Sequence, residues 1–143
     1  MSDEHKIIPG IRVGKYYLGM SINELLNNLS KEHINYQIQP LNNPVKIKTS
    51  NITFWIKDGL IDQIMVHNNF SGKFRDFIGI GSTLSDVLNF VGNWKSGYYD
   101  IAPIYVLVDV PGICFELEDE DYWDEKEAPI KYISIYPDQT DPD

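Results

Sequence analysis

Leu18-Gly19-Met20-Ser21-Ile22-Asn23-Glu24-Leu25-Leu26-Asn27-Asn28-Leu29 and Ile80-Gly81-Ser82-Thr83-Leu84-Ser85-Asp86-Val87-Leu88-Asn89-Phe90-Val91 read as one segment written twice, at a constant offset of 62 residues. In each copy a Gly precedes a hydroxyl residue, and an acid follows that hydroxyl three places on: Ser21 with Glu24, Thr83 with Asp86. The hydroxyl of such a pair accepts a hydrogen bond from an otherwise unpaired N–H of the first helical turn. The acid reaches back and complements the helix dipole. Apolar side chains then recur at Ile22, Leu25, Leu26 and Leu29, and at Leu84, Val87, Leu88 and Val91, which is the stripe of a helix with one buried face. Each copy therefore opens with a short amphipathic helix, the second ended by Gly92.

The likeness resumes downstream. Ile52-Thr53-Phe54-Trp55-Ile56 lies against Ile113-Cys114-Phe115-Glu116-Leu117, and Ile61-Asp62-Gln63-Ile64-Met65-Val66-His67 against Ile130-Lys131-Tyr132-Ile133-Ser134-Ile135-Tyr136. Both pairs alternate with period two, the pattern of strands, and Lys57-Asp58-Gly59-Leu60 between the first two is a hairpin turn of the Asp-Gly type. A further strand fits each copy near Val45 to Lys48 and near Tyr105 to Val110, bounded by Pro44, Pro103, Pro111 and Gly112. The expected fold class is α+β: two tandem helix-plus-antiparallel-sheet units forming one domain over residues 1–143, with sub-repeats at about 12–69 and 74–136 and short flexible termini. Helices on the inner face of the sheet would bury Ile22, Leu25, Leu26, Leu29, Phe54, Ile56, Ile64 and Val66. From the second copy they would bury Leu84, Val87, Leu88, Val91, Phe115, Leu117, Ile133 and Ile135.

One place breaks the correspondence. Where the first copy turns in four residues, the second inserts Glu118-Asp119-Glu120-Asp121-Tyr122-Trp123-Asp124-Glu125-Lys126-Glu127-Ala128-Pro129. Seven acids and one Lys between Glu118 and Glu127 make a strong local field, so this loop is expected to be an exposed hairpin tip. Residues 1–73 hold eight Lys/Arg against six Asp/Glu, whereas 74–143 hold four against fifteen, so the molecule is electrically lopsided.

At 143 residues, 43% hydrophobic and 23% charged, the chain has the size and composition of one globular domain with a real core. A net charge of -9 opposes unaided binding to nucleic acid or an anionic membrane surface and favours a basic partner. The lone Cys114 excludes an intramolecular disulfide, and the opening Met1-Ser2-Asp3-Glu4-His5-Lys6 has no secretory layout, so a cytoplasmic location is expected. Catalytic chemistry finds little support. Gly79-Ile80-Gly81-Ser82 starts like a phosphate-cradling loop, but no Lys-Ser/Thr or third Gly follows, and Gly81 has a plainer use at the start of a helix. His5, His33 and His67 lie at no metal spacing and read as solvated or loop residues, while Cys114 in an alternating strand reads as a buried thiol. Asp58 with Asp62, or members of the acidic loop, are the nearest approach to a carboxylate pair, and the loop lacks the alternating ligands and central Gly of a calcium loop. We expect no catalytic residues, metal or cofactor.

A recognition surface is the stronger reading of the loop: Glu118, Asp119, Glu120, Asp121, Asp124, Glu125 and Glu127 would steer a cationic protein, with Tyr122 and Trp123 as aromatic anchors. Trp94, Tyr98, Tyr99 and Asp100 form a second candidate cluster after the second helix. The alternative is an enzyme or small-ligand carrier using the sheet as a pocket, lined by Trp55, Tyr98 and Tyr105.

A tandem pair of such units, each introduced by Gly-x-Ser/Thr-x-x-acid, resembles the β-lactamase inhibitory protein fold over residues 12–136. More distantly it resembles the Gly-Met-Ser/Thr helix start of small outer-membrane assembly lipoproteins. The chain departs from both groups, lacking their signal peptide, the inhibitors' disulfides and the lipoproteins' lipidated Cys. The resemblance implies a scaffold that presents a sheet and loops to another protein. A small, acidic, cytosolic chain of this kind looks like the immunity proteins of bacterial toxin systems, and the expected function is inhibition of a basic toxin, most concretely a nuclease.

Overall fold

The computed structural model describes residues 5–39, 44–99, 102–118 and 124–137. Three very short strands come first, β1 (Ile7–Ile8), β2 (Arg12–Val13) and β3 (Tyr16–Tyr17), paired antiparallel in that order. The first unit follows: α1 (Ile22–Lys31), β4 (Gln37–Gln39), β5 (Val45–Lys48), β6 (Ile52–Lys57) and β7 (Leu60–Val66). The second is α2 (Leu84–Phe90), β8 (Trp94–Tyr99), β9 (Ala102–Leu107), β10 (Ile113–Leu117) and β11 (Ile130–Ile135). Strands β4 to β11 form one antiparallel sheet in the order β4-β5-β6-β7-β11-β10-β9-β8. The fold is thus α+β: two tandem units, each a helix followed by a four-stranded meander, joined where the last strand of one pairs with the last strand of the other.

The units match pair for pair. Thr53 opposite Met65 has its counterpart in Cys114 opposite Ser134, and Phe54 opposite Ile64 in Phe115 opposite Ile133. A bulge interrupts both ladders at the same place, between Trp55 and Ile56 and between Glu116 and Leu117. Across the seam Ile133 faces Val66, Ser134 faces Met65 and Ile135 faces Ile64, so a local two-fold axis passes between Met65 and Ser134. The start of each helix is anchored alike. Gly19 N–H donates to Ile61 O (2.8 Å) and Ile61 N–H to Met20 O (2.8 Å); Gly81 N–H donates to Ile130 O (2.9 Å) and Ile130 N–H to Ser82 O (2.7 Å). Both glycines sit at positive φ, +91° and +94°, where a side chain would be strained.

The capping expectation holds fully in one helix and half in the other. Thr83 accepts from Asp86 N–H (3.2 Å) while Asp86 accepts from Thr83 N–H (3.0 Å). Ser21 accepts from Glu24 N–H (3.2 Å), but the Glu24 carboxylate takes the Tyr17 hydroxyl instead (3.1 Å). Asp58 and Gly59 both have positive φ (54° and 82°), the two-residue hairpin turn their sequence announces.

One continuous core runs through both units: Leu25, Leu29, Leu84 and Val87 from the helices cluster with Ile47, Phe54, Ile64, Phe115, Ile133 and Ile135 from one face of the sheet. Ile56 and Val66 are buried there too, while Ile22, Leu26, Val91 and Leu117 pack against it half-buried. Leu88 is a correction: it is 51% exposed. The seven-residue α2 buries only Leu84 and Val87, and the equivalent Leu26 of α1 is also at the flank, so the surface each helix presents to the sheet is narrower than its apolar stripe. From His5 onward the N-terminal segment is part of the fold. Ile7 and Val13 are buried, Ile7 N–H donates to Lys73 O (3.0 Å) and Gly14 N–H to Lys6 O (2.8 Å).

Candidate functional site

The acidic insertion connects β10 to β11, opposite in the ladder to where Asp58-Gly59 joins β6 to β7. Of its candidates Glu118, Asp124, Glu125 and Glu127 are placed and exposed, whereas Asp119, Glu120, Asp121, Tyr122 and Trp123 lie outside the described residues. The loop's returning arm is not a free tip. Asp124 O accepts from Glu127 N–H (2.8 Å) and Ala128 N–H (3.0 Å), and Ala128 is fully buried. Ser85, in the first turn of α2, donates both its N–H and its hydroxyl to Lys126 O (3.2 Å each). The buried Tyr105 of β9 donates its hydroxyl to the Glu125 carboxylate (3.1 Å). The backbone of the arm from Asp124 to Ala128 is therefore held beside the start of α2, with the Glu125 carboxylate tied to Tyr105 and the acids Glu118, Asp124, Glu125 and Glu127 exposed to solvent.

The second candidate cluster divides. Trp94 is half-buried, its ring edge-on to Tyr105 at 5.6 Å, so Trp94, Tyr105 and Glu125 form a continuous chain from the second cluster to the loop. Tyr98 is 76% exposed on the outer strand β8. Tyr99 contributes backbone to β8, its side chain lying outside the description, as does Asp100. The pocket of Trp55, Tyr98 and Tyr105 does not exist: Trp55 and Tyr105 are on opposite faces of the sheet, because Tyr105 pairs with the core residue Phe115 whereas Trp55 pairs with Gln63 and Lys46 on the far side.

That far side is the face free of helices, and the sequence reading passed over it. One row crosses all eight strands: Gln37, Lys48, Thr53, Met65, Ser134, Cys114, Val106 and Lys95, each opposite the next. Beside it a depression of about 550 Å³ is lined by Trp55, Lys57, Gln63, Met65, Glu116 and Tyr132 among others. Lys46 lies over the Trp55 ring (5.5 Å) and Lys131 over the Tyr132 ring (5.2 Å). A chain with net charge -9 thus carries Lys46, Lys48, Lys57, Lys95 and Lys131 on this face. The signal was available as the other phase of the same period-two alternation that marks the core.

Burial sets the chemistry of the groups on that face. His67 is a correction to the solvated reading: it is buried, 2.8 Å from the Thr53 hydroxyl, and burial, with Lys48 and Lys46 nearby, holds its pKa below the usual 6.5. Glu116 is raised above the usual carboxylate range by burial, with Lys131 opposing. Cys114 is buried as expected, its thiol pushed up to about 12 by burial and then by Glu116, which leaves little thiolate at neutral pH.

A solved structure shares this architecture. The crystal structure of the uncharacterized protein yfeY from Escherichia coli superposes with a TM-score of 0.57, covering 95% of this chain and 99% of that one at 14% identity. At that identity the likeness is one of fold alone. No protein-family model matches the chain, and no curated protein does.

Among the described residues no group of three or more His, Cys, Asp or Glu is placed to hold a metal ion, and no helix is long and apolar enough to cross a membrane. The two surfaces differ in charge: exposed carboxylates along the arm beside α2, and aromatic rings under lysines on the open face of the sheet.

Proposed function

We propose that the chain is a protein-binding inhibitor, most concretely a cytoplasmic immunity protein that neutralises a basic toxin domain, a nuclease. The observation that carries the reading is the tethering of the acidic arm by Tyr105 and Ser85. Fixing carboxylates before the partner arrives lowers the ordering cost of binding, and a fixed field steers association of a cationic protein. Acids so held would occupy the positions where a nuclease's Lys and Arg hold phosphates. The identical registers of the two units support reading them as copies of one duplicated segment.

The test is to express the genes flanking this one singly in a host, and to co-express any that kills it with this chain; flanking genes that are all harmless would also count against the reading. Rescue of growth, and a complex weakened by salt and by the triple change Asp124→Lys, Glu125→Lys, Glu127→Lys, is the expected result. No rescue, or rescue indifferent to the triple change, overturns it. A second reading, a small-ligand carrier, is favoured by the depression holding Trp55 and Tyr132 on the open face. It predicts binding that ignores the triple change and fails in Trp55→Ala.

A further inference from the structure

Strand β8 stands at one end of the sheet, and its ladder fixes where its backbone groups point. Val108 N–H donates to Asn93 O (2.9 Å), one step before the pair of Trp94 opposite Leu107. Hydrogen-bonded pairs of an antiparallel ladder alternate, so from there they fall at Lys95 with Val106, Gly97 with Ile104 and Tyr99 with Ala102. Pro103, which has no N–H to give, falls on a non-bonded pair opposite Tyr98, as that phase requires. The N–H and C=O of Trp94, Ser96 and Tyr98 therefore turn away from β9 and out of the sheet. Among the described residues no backbone group meets them.

A bare edge of this length is unusual, because open edges are ordinarily cut short or interrupted by Pro or a bulge. The outer strand of the first unit, β4, pairs over three residues, whereas β8 pairs over six with no break in register. The inner strands of the two units agree in register and bulge, so the longer edge is particular to the second unit. It is also the edge beside the acids. Trp94, Ser96 and Tyr98 face the helix side, and Ser96 lies directly opposite Tyr105, whose hydroxyl holds the Glu125 carboxylate. Lys95 and Gly97 face the open side, where a Cβ on Gly97 would meet nothing.

A strand added antiparallel to this edge would hydrogen-bond through the residues opposite Trp94, Ser96 and Tyr98, and paired residues turn their side chains to the same face. Its bonding residues are thus the ones turned to Glu125, and the residues between them lie beside Lys95 and Gly97. We propose that β8 takes an extended segment of the partner as an added antiparallel strand, with Lys or Arg at the alternate positions that bond to it and neutral residues between them. Main-chain bonds supply the affinity of such docking, and the alternate side chains supply its selectivity. The cationic character of the partner rests on the inhibitor reading, but the test uses a synthetic strand and no toxin, so the two fail separately.

The probe is the capped peptide Thr-Lys-Val-Lys-Val-Lys-Thr, titrated into the full chain and followed by backbone amide NMR and hydrogen exchange. Saturable shifts are expected, with exchange slowed at Trp94, Ser96 and Tyr98 and little changed at Lys95 and Gly97, which already bond to β9. N-methylation of the peptide's Lys residues removes the donors that face β8 and should weaken it at least about tenfold. N-methylation of its Val residues removes donors that face away and should leave it within about twofold. Glu125→Gln keeps an acceptor for Tyr105 but drops the charge, and should weaken the unmethylated peptide about threefold. No saturable shift at millimolar peptide overturns the proposal. Equal affinities of the two methylated peptides overturn it too, since they would mean charge attraction without strand pairing. So does an unchanged affinity in Glu125→Gln, which would mean an edge indifferent to the acids.

Discussion

Replacing Ile135 by Ala should unfold both units together. Ile135 is fully buried in β11 and faces Ile64 across the seam on one side and Ile113 within its own unit on the other, so one side chain supports both halves of the core. Removing a buried Ile side chain to Cβ costs about 3 kcal/mol, the transfer of the lost carbons plus the cavity they leave. With a urea dependence of about 2 kcal/mol per molar for a domain of this size, the midpoint should fall by about 1.5 M. The chain carries its own reporters, Trp55 in β6 of the first unit and Trp94 in β8 of the second. Urea titrations followed by fluorescence, with Trp123→Phe and either Trp94→Phe or Trp55→Phe in the background, read each unit separately. Both reporters should give one midpoint, and Ile135→Ala should move both equally. Two separate midpoints, or a shift seen by Trp94 alone, would refute a single core across the seam.

Thr83→Ala should cost about 1–2 kcal/mol because it dismantles a complete capping box, whereas Ser21→Ala should cost about 0.5–1 kcal/mol because Glu24 does not reciprocate; thermal melts of the two variants compare them directly. For His67 the folded pKa is below the usual 6.5, so the unfolded chain binds more protons in this range. The stability His67 confers as a neutral ring is present above the unfolded pKa and is lost as pH falls from there through the lower folded value. Urea midpoints of the parent should therefore decline between pH 7 and pH 5 more steeply than those of His67→Gln, and parallel curves would contradict the assignment.

The readable parts of the fold are those written in local chemistry. Thr83 with Asp86, the Asp58-Gly59 turn and the alternation of Ile61 to Val66 each declare their conformation within a few residues. The two-residue strands β1 to β3 are too short to show any periodicity, and what fixes them is the distant backbone of Lys73 and the space Ile7 and Val13 fill. The pairing of β7 with β11 likewise joins residues far apart in the chain, and nothing local to Ile64 names Ile135 as its partner. In the site, acidity and exposure of Glu118 and Asp124 to Glu127 followed from charge alone. Their tethering did not, since Tyr105 reaches Glu125 across twenty residues of sequence. His67 was misread because a polar residue at a strand end looks solvated until its neighbours Thr53 and Tyr132 are known.

Placing the last strand of each unit at the centre of the sheet has a consequence for how the protein is made. When the ribosome has finished β7, that strand has Ile61, Ile64 and Val66 ready on one side and an open row of N–H and C=O groups along its edge. Its partner β11 begins only at Ile130, after the whole of the second unit's other strands. Until then the nascent first unit carries an adhesive border, of the kind that recruits any strand within reach. A chain that stopped early could close that border with another like itself, Met65 laid against Met65 where the full pairing sets Met65 against Ser134. The second unit is in this sense the first unit's stopper, and a chain ending between the two would be left with that border open as a seed for pairing.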